Sequence, residues 1–231
     1  MLAIASIGLA VALGACGDDD DEPAQETGTT TTEAAPATTT QPPQSEADGG
    51  CEQVTQPKGG ERTGKKPKVK LDAKRTYELV FATNCGEFTI TLDLEAAPLT
   101  SASLVALAKA KFFDGTAFHR IVPGFVIQGG DPTASGQGGP GYSTLDKPPP
   151  NTRYTKGVVA MAKTQAEPPG TAGSQFFVVV GDDAGLPPEY AVVGKVTDGM
   201  DVVERIGQQG DPASEQPLRP VVIESAKVEE S

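Results

Sequence analysis

No aromatic residue occurs before Tyr77, and all twelve Phe and Tyr of the 231-residue chain lie from there onward. A segment without aromatic side chains has little apolar area with which to offset the entropy of ordering its backbone. The distribution therefore confines the folded part to residues 68–231, enough for one domain with a sizeable core. Charge divides the chain near the same place. Residues 1–57 hold ten acids and no Lys or Arg, so of the formal net charge of −12 only about −2 belongs to residues 58–231. A near-neutral domain lacks a phosphate-binding footprint, and no nucleic-acid partner is expected.

Residues 1–15 read MLAIASIGLAVALGA, an apolar run that ends at Cys16. It is too short to span ~30 Å of hydrocarbon as a helix, which takes ~20 residues, but it suits the core of a signal peptide. Leu13-Gly14-Ala15-Cys16 resembles the lipobox of bacterial lipoproteins, where the Cys becomes the first mature residue and carries lipid on its sulfur. The alternative is a cleaved secretory peptide with an incidental Cys, and no Lys or Arg precedes the apolar run. Residues 16–67 read as a disordered linker, acidic and then rich in Thr and Pro, with neither a helical nor a strand period. About 50 such residues average ~40 Å end to end. Lys58, Arg62, Lys65, Lys66 and Lys68 form a basic stretch, read as solvated in preference to lipid-binding. The expected location is the cell envelope, with the chain lipid-anchored on the outer face of the cytoplasmic membrane.

With Cys16 lipidated, Cys51 and Cys85 remain as an even pair in an oxidising compartment. A disulfide pinning the end of the linker to the domain is one reading, and two free thiols is the other. One His and three Cys are too few for a structural zinc site, and no metal is expected.

From Thr76 the pattern is rich in strands. Tyr77 to Phe81 leads to a turn at Asn84-Cys85-Gly86, after which Glu87 to Leu92 alternates apolar with polar, the signature of a hairpin. Pro98 opens a helix with an apolar stripe of Leu104, Leu107 and Ala108. A second helix is predicted over Met200 to Ile206 with Asp198 as its cap, and a last strand over Val221 to Ile223. Short strands separated by Gly and Pro suggest a closed antiparallel barrel plugged by the helices, although the pattern alone suits a sandwich equally.

Two strings in the middle of the domain are highly specific: Phe113-Asp114-Gly115-Thr116-Ala117-Phe118-His119-Arg120-Ile121 and Pro123-Gly124-Phe125-Val126-Ile127-Gln128-Gly129-Gly130-Asp131. Ala160-Met161-Ala162-Lys163, Gly173-Ser174-Gln175-Phe176-Phe177, Val193-Gly194-Lys195-Val196 and Asp198-Gly199-Met200-Asp201-Val202-Val203 come after them in order. Together they resemble the cyclophilins, over roughly residues 76–231. The resemblance implies a mainly β fold, a closed eight-stranded antiparallel barrel capped by two α-helices, and peptidyl-prolyl cis–trans isomerase activity on proline-containing polypeptides. Matched position by position, it implies a catalytic set of Arg120, Phe125 and Gln128. Val126, Phe177 and Leu186 complete the proline pocket with Phe125, and Ala162, Lys163 and Gln175 line the groove for the peptide backbone. Tyr190 falls where many members carry His. A monomer is expected.

The chemistry suits these residue types. Rotation about an X–Pro bond faces a barrier of ~18–20 kcal/mol because it breaks amide resonance. No bond is made or cleaved, so no nucleophile or cofactor is required. A fixed guanidinium can hydrogen-bond to the proline nitrogen as it pyramidalises, or to the nearby carbonyl. Shortening the process from ~100 s to ~10 ms lowers the barrier by about 5.4 kcal/mol. His119, the chain's single His, invites a triad with Ser174 and Asp131, but no nucleophile elbow is present. Gly185 stands beside Leu186 where many cyclophilins have Trp, which argues against strong cyclosporin binding, and Pro168-Pro169 and Pro187-Pro188 point to altered loops. Two rival readings are a proline-binding module without turnover and a solute-binding lipoprotein.

Overall fold

Alternation builds the first hairpin. In β1 (Tyr77–Thr83) and β2 (Gly86–Leu92), Leu79, Phe81, Phe88, Ile90 and Leu92 turn inward. Phe81 pairs with Phe88 across the ladder, their rings stacked 5.3 Å apart. Helix α1 (Pro98–Lys109) begins at its proline and buries Leu104, Leu107 and Ala108 as the spacing predicts. Its N-terminus lacks a local side-chain cap. Asp146, far along the chain, supplies one instead: its carboxylate accepts from Thr100 N at 2.7 Å, Thr100 Oγ1 at 2.7 Å and Leu99 N at 3.4 Å.

The remaining elements run in chain order: β3 (Thr116–Ala117), β4 (Arg120–Val122), β5 (Val126–Gly129), β6 (Thr144–Leu145), β7 (Val158–Met161), β8 (Thr171–Ala172), β9 (Phe176–Val179), β10 (Val192–Asp198), α2 (Met200–Gly207) and β11 (Val222–Glu230). This computed structural model describes residues 50–68 and 70–231. The signal segment, Cys16 and the linker up to residue 49 lie outside the described residues.

One antiparallel sheet of nine strands, ordered β3-β11-β1-β2-β10-β7-β9-β5-β4, excludes the sandwich. The ninth strand arises because residues 116–122 are interrupted at Phe118-His119; taken as one strand, they restore the expected eight. The expected full closure is replaced by something slighter. The two ends of the curled sheet meet through chain continuity and one isolated bridge, Ala117↔Asp131, and a complete ladder does not form there. β6 and β8 pair separately. Phe81, Phe88, Phe113, Phe118 and Phe176 fill the interior with ring centroids 5.2 to 6.4 Å apart.

Two expectations need correction. Asp198 does not cap α2: it ends β10 opposite Thr89, and the cap position belongs to Gly199, whose φ of 72° suits a residue without Cβ. The last strand runs to Glu230, well beyond Ile223, because its polar outer half is held by ladder pairing with β1, from Ser225↔Ala82 to Glu230↔Tyr77.

Residues 50–67, read from composition as the end of a disordered linker, are laid along the domain without helix or strand. Composition missed this because a run of glycines and basic residues does not announce the contacts that hold it, which come from backbone N–H groups and from the Arg62 side chain. Gly60 N donates to Pro132 O at 2.9 Å and Gly64 N to Pro140 O at 2.8 Å. At the start of this strap Cys51 is disulfide-bonded to Cys85 in the β1–β2 turn. Beside the bond, Glu52 N donates to Asn84 O at 2.7 Å while Asn84 Nδ2 donates to Glu52 O at 2.7 Å. The bond closes a loop with a sequence separation of 34, for which the loop-entropy model gives about 3–4 kcal/mol of stabilisation. A Cys51→Ala/Cys85→Ala variant should lose most of that in urea unfolding, and the reductant sensitivity of the wild-type midpoint should disappear with it.

Candidate active site

The register of the sheet gathers the site. Arg120 of β4 pairs with Gln128 of β5, Gln128 with Phe177 of β9, and Phe177 with Ala160 of β7. Directly paired residues share a face, so these four form one row across four strands. A second row on the same face runs Val122, Val126, Val179. The residues between them, Ile121, Ile127, Val178 and Val159, point the other way into the main core. The outward set forms a separate apolar cluster: Val126, Tyr154, Val158, Ala160, Phe177 and Val179, with Phe125, Ala162, Leu186 and Tyr190 packed on it. The pocket residues expected from the sequence thus meet on one patch.

A chain of hydrogen bonds borders that patch. Arg120 Nε donates to Glu215 Oε2 at 2.7 Å, and its Nη1 reaches Gln128 Oε1 at 3.5 Å. Gln128 Nε2 donates to Gln175 Oε1 at 3.0 Å, and Gln175 Nε2 donates to Gly138 O at 2.9 Å. The guanidinium carbon lies 5.9 Å from the centroid of the Phe125 ring. Arg120 keeps 34% of its side chain exposed, so its remaining donors can meet a substrate.

Glu215 was not legible in the sequence. It lies in the loop before β11 with a φ of 59°, a conformation that costs a non-glycine residue roughly 1–3 kcal/mol. Both of its backbone groups are engaged: its N–H donates to Asp211 O and its carbonyl accepts from Ile121 N, each at 2.8 Å. The carboxylate is thereby held beside the strand that carries Arg120. Tyr154 was also missed. It is fully buried, and its hydroxyl donates to Tyr190 O at 2.8 Å and accepts from Tyr190 N at 2.9 Å, fixing that backbone at the pocket wall. The Tyr190 ring stands edge-on to Phe177 at 5.5 Å. Lys163 lines the groove, but only 2% of its side chain is exposed: its ammonium pairs with Glu189 at 2.9 Å and lies 5.5 Å from the Tyr190 ring centroid.

A family model described as cyclophilin type peptidyl-prolyl cis-trans isomerase matches residues 78–228. The chain belongs to the cyclophilins. Peptidyl-prolyl cis-trans isomerase A of Mycobacterium tuberculosis is 39% identical over 164 residues, covering 63% of this chain and 88% of that protein. Isomerase B of Streptomyces anulatus is 39% identical over 166 residues, covering 64% and 93%. The crystal structure of a Cryptosporidium parvum cyclophilin aligns with a TM-score of 0.62 at 30% identity, covering 67% of this chain and 98% of that one. A second crystal structure of it, in the presence of the dipeptide Ala-Pro, aligns at 0.61 and 29%.

As a cyclophilin the chain departs at Gly185. Its φ of 62° and the hydrogen bond from its N–H to Asp183 Oδ1 define a turn that a tryptophan would enter only with strain. No Ser-His-Asp triad forms beside Arg120. Ser174 Oγ donates to Gly130 O at 2.7 Å, and Asp131 accepts from Thr133 Oγ1, Thr133 N and Gly138 N. Burial pushes the Asp131 carboxyl up, but those hydrogen bonds outweigh it and hold its pKa below the usual value. Both ring nitrogens of His119 are buried without a hydrogen-bond partner. Burial lowers its pKa, and the neighbouring Asp131 carboxylate offsets part of that. The unfolded chain therefore takes up the His119 proton first, at about pH 6.5. Stability contributed by the neutral ring is complete above that pH and falls as the pH drops toward the lower folded-state value. Urea midpoints should decline from pH 7.5 to 5.5, and His119→Gln should flatten that slope.

Proposed function

We propose that Arg120, Phe125 and Gln128 carry out the isomerisation that characterises the family, and that Val126, Phe177, Leu186 and Tyr190 hold the proline ring. The observation that carries this reading is the shared row: a guanidinium fixed by Glu215 and Gln128 at the edge of an apolar patch floored by Phe177. Proline-containing peptides are the substrate class of the family. The ring fills the patch, and the backbone on either side lies along Ala162, Lys163 and Gln175. The planar amide is stabilised by resonance that the twisted amide lacks, so a donor already in place favours the twisted state selectively. The Glu215 and Gln128 contacts mean that little reorientation of Arg120 accompanies the rotation. The hydrogen-bonded Gln128–Gln175 pair borders the path of the substrate backbone with amide groups.

The same proposal puts the domain in the cell envelope, as a monomer held at the outer face of the cytoplasmic membrane by lipid on Cys16. The lipobox-like Leu13-Gly14-Ala15-Cys16 and the Cys51–Cys85 bond, which suits an oxidising compartment, support that location. An isomerase there serves exported proteins, whose slow folding steps include proline isomerisation.

In a coupled isomerase assay on the full-length protein, Arg120→Ala should lower kcat/KM by about 10²–10³-fold, the loss typical of a preorganised donor, with an unchanged circular dichroism spectrum. Undiminished turnover in a folded variant would refute the assignment of Arg120. Metabolic labelling with a radioactive fatty acid should mark the wild-type protein and leave Cys16→Ala unlabelled.

A further inference from the structure

Residues 59–64 of the strap, Gly-Gly-Glu-Arg-Thr-Gly, are seated tightly on the domain at both ends, Gly59 and Gly64, while Gly60 has open space beside it. A Cβ on Gly59 would lie 2.4 Å from the Thr133 carbonyl oxygen, and one on Gly64 would lie 2.6 Å from Leu107 Cδ2 and 3.1 Å from Pro140 Cβ. Between them Arg62 Nη1 donates to Phe112 O at 2.6 Å and Asp114 O at 2.7 Å. With the two backbone bonds from Gly60 and Gly64, this stretch is held at four points.

Held there, Glu61, Arg62 and Thr63 form one wall of a groove of about 820 Å³. That volume lies within the ~300–1,000 Å³ of ligand-binding clefts. Its other lining includes Gln128, Ala162, Lys163 and Gln175, so the groove is continuous with the proline site. The matched family region begins at residue 78, and the wall therefore lies outside it.

The charges in this lining are unequally committed. Lys163 is neutralised by Glu189, whereas Arg62 is fixed by two uncharged carbonyls that occupy its Nη1 and leave its charge in place. Glu167 accepts only from Thr164, and the exposed Glu61 carboxylate has no hydrogen bond or ion pair among the described residues. Among the described residues the groove thus presents two carboxylates without an ion-pair partner against one such cation, Arg62, which is turned onto the Phe112 and Asp114 carbonyls.

Building on the active-site reading above, we propose that the strap is a substrate-selecting wall: it extends the proline site into a groove that favours polypeptides with a Lys or Arg side chain some residues away from the proline. Glu61 is the principal counter-charge and Glu167 the second. A short peptide that fills only the proline site does not reach the strap and is indifferent to it.

The test compares three proline peptides on the full-length protein: a short neutral one, and two long ones with either Lys or Glu flanking the central segment. The Lys-bearing peptide should be preferred over the Glu-bearing one about fivefold in kcat/KM, the size of one partly exposed ion pair, mainly through KM. The preference should shrink in ~1 M salt. Glu61→Lys should erase or invert it with the short peptide unaffected. Gly59→Val/Gly64→Val, which displaces the strap, should lose the preference and become susceptible to trypsin at Arg62 under native conditions. Equal turnover of the two long peptides by the wild type, or an unaltered preference in Glu61→Lys, would overturn the proposal. Absence of turnover on the short peptide would instead sink the isomerase reading of the site.

Discussion

The structure depends on the strict alternation of side chains along three short neighbouring strands. In β4, β5 and β9 one residue of each pair enters the phenylalanine-filled interior and the next stands outside. Ile121, Ile127 and Val178 are wholly buried, and each is adjacent in sequence to a residue of the outer patch: Arg120, Gln128 and Phe177. A slip of one residue in any of these strands would exchange the two sets, driving a guanidinium and an amide into the core. The interior packing therefore does more than stabilise the sheet. It holds in register the residues of the outer patch, so the same ladder that fills the core also aligns Arg120, Gln128 and Phe177.

What was legible in the sequence was whatever is encoded locally. The Phe88 to Leu92 alternation marked its strand, Pro98 marked the first turn of α1, and the Phe118-to-Asp131 strings identified the family. The features that were missed are those fixed at a distance. Glu215 approaches Arg120 from a loop 95 residues away, and nothing in Ser214-Glu215-Gln216 announces it. The carboxylate of Asp146 caps a helix that begins nearly fifty positions earlier, so no residue near Pro98 betrays it. The outer half of β11 was under-read because ladder pairing with β1, which fixes it, has no counterpart in composition. The strap is the sharpest case: its glycines and lysines resemble a solvated linker, yet at Gly59 and Gly64 the domain surface leaves no space for a side chain.

Electrostatically, the site contrasts a mobile reagent with a positioned one. Arg120 is about one-third exposed, and an unconstrained arginine at that exposure would sample many rotamers. Contacts to Glu215 and Gln128, with the Phe125 ring beside it, leave it few. Because the carboxylate binds Nε, the terminal nitrogens remain available while the charge is kept partly balanced. Gln175 continues the arrangement onto the Gly138 carbonyl, so the polar border of the pocket is anchored to backbone at both ends. Tyr154 does the same for the apolar wall, tying the Tyr190 main chain to the strand platform.

The covalent link between Cys51 and Cys85 has a mechanical consequence. Everything between those two residues, strap and β1 included, belongs to a closed ring of chain. Tension arriving from the N-terminal side passes at Cys51 through the sulfur atoms to the β1–β2 turn and bypasses the ring. The strap is thus shielded from load, and a pull on the chain reaches the sheet at the end of a hairpin without first peeling the groove wall from its seat.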